Sequence, residues 1–172
     1  MDPTFFVTAG ALLSAGFSKD VGVGLTAGGG AQLNDFFSVA AEIRGMLPAE
    51  VRASDPIDTA KPVLASKKID LSDLSGLLVP CFRLSIFLGC AVGKVGVVMT
   101  RSTTLNADSL SFATGPRLGV NLRFFDRLDL SGYAEALLTT APSTVSYQEV
   151  NALWQQSLVS AFFGVNASVL IK

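Results

Sequence analysis

The chain has 172 residues, enough for one domain with a sizeable core, and at 49% hydrophobic and 16% charged it is too apolar for an average soluble domain, in which about 25% of residues are charged. A formal net charge of −1 offers no polybasic field to nucleic acid. Histidine is absent, which removes the commonest general base and the commonest metal ligand.

The opening Met1-Asp2-Pro3-Thr4 has no basic n-region and no cleavage site, so the sequence is read as a mature or trimmed form of an exported protein. From there a period of two recurs, the signature of strands with one face in each environment. Residues 5–17 put Val7, Ala9, Ala11, Leu13, Ala15 and Phe17 on one face and Thr8, Gly10, Leu12, Ser14 and Gly16 on the other. Residues 21–33 set Val23, Leu25, Ala27, Ala31 and Leu33 against Gly24, Thr26, Gly28, Gly30 and Gln32. Glycines inside such a pattern mark bends or tight interior packing. A tight turn at Asn34-Asp35-Phe36 leads into residues 37–47, where Phe37, Val39, Ala41, Ile43, Gly45 and Leu47 oppose Ser38, Ala40, Glu42, Arg44 and Met46.

A long loop is expected over residues 48–73, with mixed charges from Glu50, Arg52, Asp55, Asp58, Lys61, Lys67, Lys68, Asp70 and Asp73. Loops of this length are functional or solvated, and this one is the candidate site for a protein partner or lipopolysaccharide. Beyond it, residues 76–99 form the best helical candidate, but Pro80, Arg83 and Lys94 divide them into pieces too short to span a bilayer as a helix. As strands they fit well. Residues 74–84 set Leu74, Leu78, Pro80, Phe82 and Leu84 against Ser75, Leu77, Val79, Cys81 and Arg83. Ser85-Ile86 makes a two-residue turn, and residues 87–101 follow, with Lys94 marking the inward face.

The next connection is expected around residues 102–109. Residues 116–124 then oppose Pro116, Leu118, Val120, Leu122 and Phe124 to Arg117, Gly119, Asn121 and Arg123. After Phe125-Asp126-Arg127, residues 128–138 oppose Leu128, Leu130, Ala134, Ala136 and Leu138 to Asp129, Ser131, Tyr133, Glu135 and Leu137. A connection at 141–157 precedes residues 159–171, where Val159, Ala161, Phe163, Val165, Ala167, Val169 and Ile171 oppose Ser160, Phe162, Gly164, Asn166 and Ser168.

Eight strands of roughly membrane-crossing length predict an all-β fold, an eight-stranded antiparallel up-and-down transmembrane β-barrel, as one domain over residues 1–172. Closure removes exposed edges, so a monomer is expected. Short turns alternate with longer connections, the arrangement of bacterial outer-membrane barrels with short periplasmic turns and long outer loops. This places both termini on the periplasmic side. Phe36, Phe37, Phe82, Phe87, Phe124 and Phe125 cluster at the three tight turns, as a periplasmic aromatic girdle at the lipid interface would require.

The inward faces carry Glu42, Arg44, Arg83, Lys94, Arg117, Arg123, Asp129 and Glu135. In a lumen just wide enough for side chains, these charges must pair. Counted from the tight turns, Glu42, Lys94, Arg117 and Glu135 are expected in one mid-depth layer, and Arg83, Arg123 and Asp129 in a second near the turn end. If 85–86 is a two-residue turn, Cys81 faces Cys90 inside the lumen at a non-hydrogen-bonded pair, within disulfide reach. The same register lays Phe82 over Gly89 outside. With no histidine there is no Ser-His arrangement, and neither a CxxC pattern nor a phosphate-binding glycine loop occurs. No catalytic, cofactor or metal site is therefore predicted, and salt bridging explains Glu42 and Glu135 better than acid–base catalysis.

On Gly10-Ala11-Leu12-Leu13, Val39-Ala40-Ala41-Glu42-Ile43-Arg44, Leu78-Val79-Pro80-Cys81 with Gly89-Cys90-Ala91, and Gly115-Pro116-Arg117-Leu118-Gly119-Val120, the chain resembles small eight-stranded outer-membrane barrels, and within them the Gly/Ala-rich myxobacterial-type barrel domains. The resemblance implies a membrane barrel without a defined activity, its neighbours being outer-membrane lipid and lipopolysaccharide. Such barrels often end in an aromatic residue, whereas this sequence ends Leu170-Ile171-Lys172. The expected function is a non-enzymatic barrel with a plugged, charge-paired lumen that anchors, packs or binds through its outer loops. The alternatives are a narrow pore or small-ligand transporter, and a soluble lipocalin-like barrel whose apolar face would point inward.

Overall fold

Strands with a two-residue period need a partner on each side and a separate environment on each face, and closing the sheet meets both needs at once. The computed structural model describes residues 3–15, 21–52, 68–101, 106–124, 127–140, 144–147, 150–155 and 157–171. Its strands are β1 (Thr4–Ala15), β2 (Gly22–Gln32), β3 (Phe37–Arg52), β4 (Lys68–Leu84), β5 (Phe87–Arg101), β6 (Asn106–Phe124), β7 (Leu128–Thr139), β8 (Thr144–Tyr147), β9 (Val150–Gln155) and β10 (Val159–Ile171). Eight of them form a closed barrel in the order β1-β10-β7-β6-β5-β4-β3-β2, and β8 and β9 form a separate two-stranded sheet. All neighbours in the barrel are antiparallel, including β1 against β10, which runs from Phe5 opposite Ile171 to Ala15 opposite Ala161. The fold is the all-β, up-and-down, eight-stranded barrel that the alternation predicts.

The boundaries differ from the sequence expectation in three places. β3 continues to Arg52 and β4 begins at Lys68, so both ends of the expected 48–73 loop are paired strand, Glu50 lying opposite Asp70. Pro48 hides this continuation. The β3–β4 register shifts by one residue between Met46 and Ala49, a bulge at a residue with no N–H to donate. Likewise β6 starts at Asn106, ten positions before Pro116, and Asn106 pairs with Arg101. Pro80 and Pro116 each sit where the ladder to one neighbour skips two pairs, on the β5 side and the β7 side respectively, with the register unchanged across the gap. The β8–β9 hairpin falls within the 141–157 connection, which has no alternation of useful length.

β3 to β6 are 15 to 19 residues long, whereas the other four barrel strands have 11 to 13. A tilted strand needs about 9–11 residues to cross a bilayer. One side of the barrel therefore extends beyond the apolar band on the long-loop side. The turns at the other end are tight. Asn34 Oδ1 accepts hydrogen bonds from the Phe36 and Phe37 N–H groups at 2.9 and 2.8 Å, an Asx turn that fixes the chain between β2 and β3. Ser85 has φ 59°, the left-handed conformation that a two-residue hairpin demands at its first central position.

Outward side chains are apolar over the middle of the wall, and the outward charges Asp70, Arg101 and Asp108 stand at the long-loop ends of β4 to β6. Leu25, Ile43, Leu78, Leu118, Val165 and Phe163 are among the exposed large residues, Leu118 at 66%. Inward side chains are mixed: Leu12, Met46, Leu77, Val79, Val92, Leu137 and Phe162 pack with buried Arg44, Glu42, Asp73, Lys94, Arg117 and Glu135. A soluble lipocalin-like barrel would show the reverse, so that alternative fails on the orientation of every strand.

Candidate functional site

The lumen is where the chain's chemistry collects. Arg44 on β3 is fully buried, and its two terminal nitrogens donate to Glu135 of β7 across the barrel at 2.7 and 3.0 Å. Glu135 also accepts from Arg117 Nε at 2.8 Å. The terminal nitrogens of Arg117 then donate to both oxygens of Glu42 at 2.8 and 2.9 Å. The result is an alternating series, Arg44–Glu135–Arg117–Glu42, with two bidentate forks and no net charge. Bidentate guanidinium–carboxylate pairs are among the strongest hydrogen-bonded contacts, and only such saturation offsets the desolvation of buried ions.

Aromatic rings cover both guanidinium groups. Arg44 lies 4.6 Å from the Phe162 ring centre and Arg117 lies 4.3 Å from that of Tyr133, within cation–π range. Tyr133 itself packs over Gly164, where a Cβ would overlap the phenol ring. Gly164 thus works as a recess for a neighbouring strand's aromatic ring, and this seats the ring against Arg117. Tyr133 falls outside the charged set expected in the lumen, although the alternation puts it on the same face as Glu135.

Lys94 does not join this layer. Its ammonium donates to Asp73 Oδ2 at 2.9 Å, and Asp73 also accepts from the Ser75 hydroxyl at 2.9 Å. Counting residues from the turns ignores strand tilt and stagger, so equal counts on different strands do not mean equal depth. Asp73 belongs to the wall and not to the expected loop. It has the same parity as Arg83 on β4, and that parity is the signal that could have placed it inside.

Toward the tight turns a second cluster forms. Asp129 accepts from Arg123 at 2.9 and 3.2 Å and from Asn121 Nδ2 at 3.2 Å, and lies 3.5 Å from Arg83. Between this cluster and the quartet is a small vestibule, open to solvent at the turn end. Glu42, Arg117 and Tyr133 belong to its inner wall, and Phe6, Phe36, Phe37 and Leu88 to its apolar sides.

Cys81 and Cys90 are disulfide-bonded, with Cα atoms 4.0 Å apart and directly opposite each other in the β4–β5 ladder. Phe82 is opposite Gly89 and Leu84 opposite Phe87, the register that the two-residue turn implies. Of the six phenylalanines at the tight turns, Phe36, Phe37, Phe82, Phe87 and Phe124 are exposed, with Phe36 and Phe82 stacked at 6.2 Å between ring centres. Phe125 lies outside the described residues, as do the side chains of the centre of the 48–73 segment.

No protein-family model matches the sequence, and no curated protein matches it. Several solved structures share the fold. Neisserial surface protein A superposes with a TM-score of 0.64 at 13% identity, over 98% of this chain and 99% of that one. The attachment invasion locus protein of Yersinia pestis, in complex with the heparin analogue sucrose octasulfate, gives 0.61 at 11% identity, over 99% and 100%. A major outer membrane protein from Thermus thermophilus gives 0.58 at 13% identity, over 99% and 100%. At these identities the likeness is one of fold, that of the small outer-membrane barrels. The narrower likeness to myxobacterial-type domains rests on the sequence segments alone.

Proposed function

We propose that this chain is a bacterial outer-membrane barrel with a plugged lumen, non-enzymatic, whose role is to hold its long loops at the cell surface for anchoring or binding. The observation that carries the proposal is the inside-out polarity: a continuous apolar exterior around a lumen of paired charges. An Arg or Lys on the lipid face costs about 2–4 kcal/mol at mid-bilayer, and the buried charges Glu42, Arg44, Asp73, Lys94, Arg117, Asp129 and Glu135 point inward, the outward Asp70, Arg101 and Asp108 standing at the long-loop end of the wall. The solved outer-membrane barrels of the same fold support the location. In this orientation the tight turns and both termini face the periplasm. Phe36, Phe37, Phe82, Phe87 and Phe124 then sit at the inner lipid interface, and the extended β3–β6 wall rises toward lipopolysaccharide.

The quartet supports a closed lumen. It crosses the barrel from β3 to β6 and β7 in direct hydrogen bonds, with Leu12, Leu77, Val92, Leu137 and Phe162 packed around it. Both carboxylates are held by guanidinium groups, so neither is free to act as a general base. The Yersinia relative by fold is recorded with a sulfated saccharide, and a surface ligand read by the outer loops is the corresponding proposal for this chain. Planar-bilayer recording on the reconstituted barrel tests the plug. No discrete channel events are expected, and steady unitary conductance would favour the narrow-pore alternative.

A further inference from the structure

The β8–β9 hairpin is the part of the chain that neither the barrel wall nor the lumen accounts for. It forms a two-stranded sheet of its own, outside the barrel ladder. A lone two-stranded hairpin is marginally stable in water and needs something against one face. Thr144–Tyr147 and Val150–Gln155 hold no charged residue, in contrast to the mixed charges of residues 48–73. Val145 pairs with Trp154 and Tyr147 with Val150, and opposed residues of an antiparallel pair share a face. The register shift between these pairs keeps parity, since Val145 and Tyr147 are both odd positions and Val150 and Trp154 both even. One face of the hairpin therefore carries Val145, Tyr147, Val150 and Trp154, and the Thr144–Gln155 pair falls on the other.

The root of the hairpin is the long-loop limit of the lipid-facing wall. β7 and β10 are joined there by the Leu138–Val159 pair and by the Thr139 N–H donating to the Leu158 carbonyl at 2.8 Å. Leu138, Leu158 and Val159 are all exposed, so on this side the apolar wall runs up to the last ladder residue. Phe112 of β6 stands at the same level, exposed, its carbonyl accepting from the Thr140 N–H at 3.0 Å. Residues 141–143 and 156–158 are the only links from this rim to β8 and β9, which keeps the base of the hairpin within about 14 Å of the wall. Outer-membrane barrels carry aromatic girdles at both lipid interfaces, and tryptophan and tyrosine favour the headgroup level. The tight-turn end has Phe36, Phe37, Phe82, Phe87 and Phe124 exposed, whereas at the other end Phe112 stands on the described wall. The one tryptophan of the chain is in the hairpin.

We infer that β8–β9 is an interfacial anchor, its Val145–Trp154 and Tyr147–Val150 face laid on the outer lipid surface where headgroups meet acyl chains. The inference rests on the membrane-barrel reading and completes the outer girdle. It holds this connection in the plane of the membrane and leaves the taller β3–β6 wall clear to meet a surface ligand. The test uses the full chain in phosphatidylcholine nanodiscs, with Trp154 as its own reporter. Trp154 is expected to emit at short wavelength and to lose most of its intensity in lipid brominated close to the headgroup end of the acyl chains. A smaller loss is expected in lipid brominated near the chain ends, and little loss to acrylamide in the water. The control is Leu118→Trp in a Trp154→Phe background, which moves the reporter to the exposed middle of the wall. Quenching of Trp154 by acrylamide and not by brominated lipid, with the control quenched by lipid, would overturn the anchor and leave the membrane barrel standing. A Trp154 shielded from both quenchers would also overturn it, because the apolar face would then pack on protein. Failure of brominated lipid to quench the control as well would overturn both readings.

Discussion

At the residue scale, the two carboxylates of the quartet are saturated by arginine donors, although Arg44 Nε and the Tyr133 hydroxyl beside them have no hydrogen-bond partner among the described residues. Glu135 accepts three hydrogen bonds and Glu42 two, all from two arginines. Removing one member leaves buried charge without a partner, which costs about 3–5 kcal/mol. Arg117→Leu is therefore expected to destabilise the barrel by about that much in urea unfolding from vesicles, because it strands Glu42 and removes one of the three hydrogen bonds to Glu135. Glu42→Gln keeps one acceptor but turns an amide donor toward the Arg117 fork and leaves a guanidinium in excess, so a loss of similar size is expected; a negligible loss would contradict the role given to charge pairing. At Gly164, a Cβ would meet the Tyr133 ring, and Gly164→Val is expected to cost about 1–3 kcal/mol by overpacking and to move Tyr133 off Arg117, visible as a change in tyrosine fluorescence. The inward set from Glu42 to Glu135 was legible in the sequence because charge and parity agree there. The partners were not: Arg44 meets Glu135 across the lumen, and Lys94 meets Asp73, and one-dimensional counting has no access to contacts across the interior.

At the scale of the element, the β4–β5 hairpin shows how much local geometry fixes. A two-residue turn determines the register, the register sets Cys81 opposite Cys90, and the lumen face follows from Arg83 and Lys94. This part was readable residue by residue, since each step depends only on neighbours in sequence. Paired replacement by Cys81→Ser and Cys90→Ser is expected to lower stability by about 2–3 kcal/mol in the chain-entropy model for so short a loop, measured by the same unfolding with and without reductant. Ser85 in the left-handed conformation suggests a gain. Ser85→Gly is expected to stabilise by about 0.5–1 kcal/mol, since glycine adopts that conformation without steric cost. The ends of β3, β4 and β6 were less legible because Pro48 and Pro116 look like strand breaks. A tilted barrel wall absorbs each proline by a bulge or by a gap of two ladder pairs.

At the scale of the whole molecule, closure and polarity belong together. A closed sheet has no edge to satisfy, and its two faces can then belong to two different media. The alternation along eight strands specified both the closure and the exterior, whereas the vestibule, formed by side chains from distant strands, had no signature in any single segment. The apolar exterior is the claim on which the other readings rest. It is tested most directly by nitroxide labels placed singly at residues 114–122 of β6 in vesicles, with accessibility to oxygen and to a water-soluble nickel chelate measured by electron paramagnetic resonance. Labels at Thr114, Pro116, Leu118, Val120 and Leu122 are expected to meet oxygen and exclude nickel, with a two-residue period against the inward positions between them. High nickel accessibility at Leu118 and Val120, or loss of the period, would contradict a barrel that faces lipid with this wall.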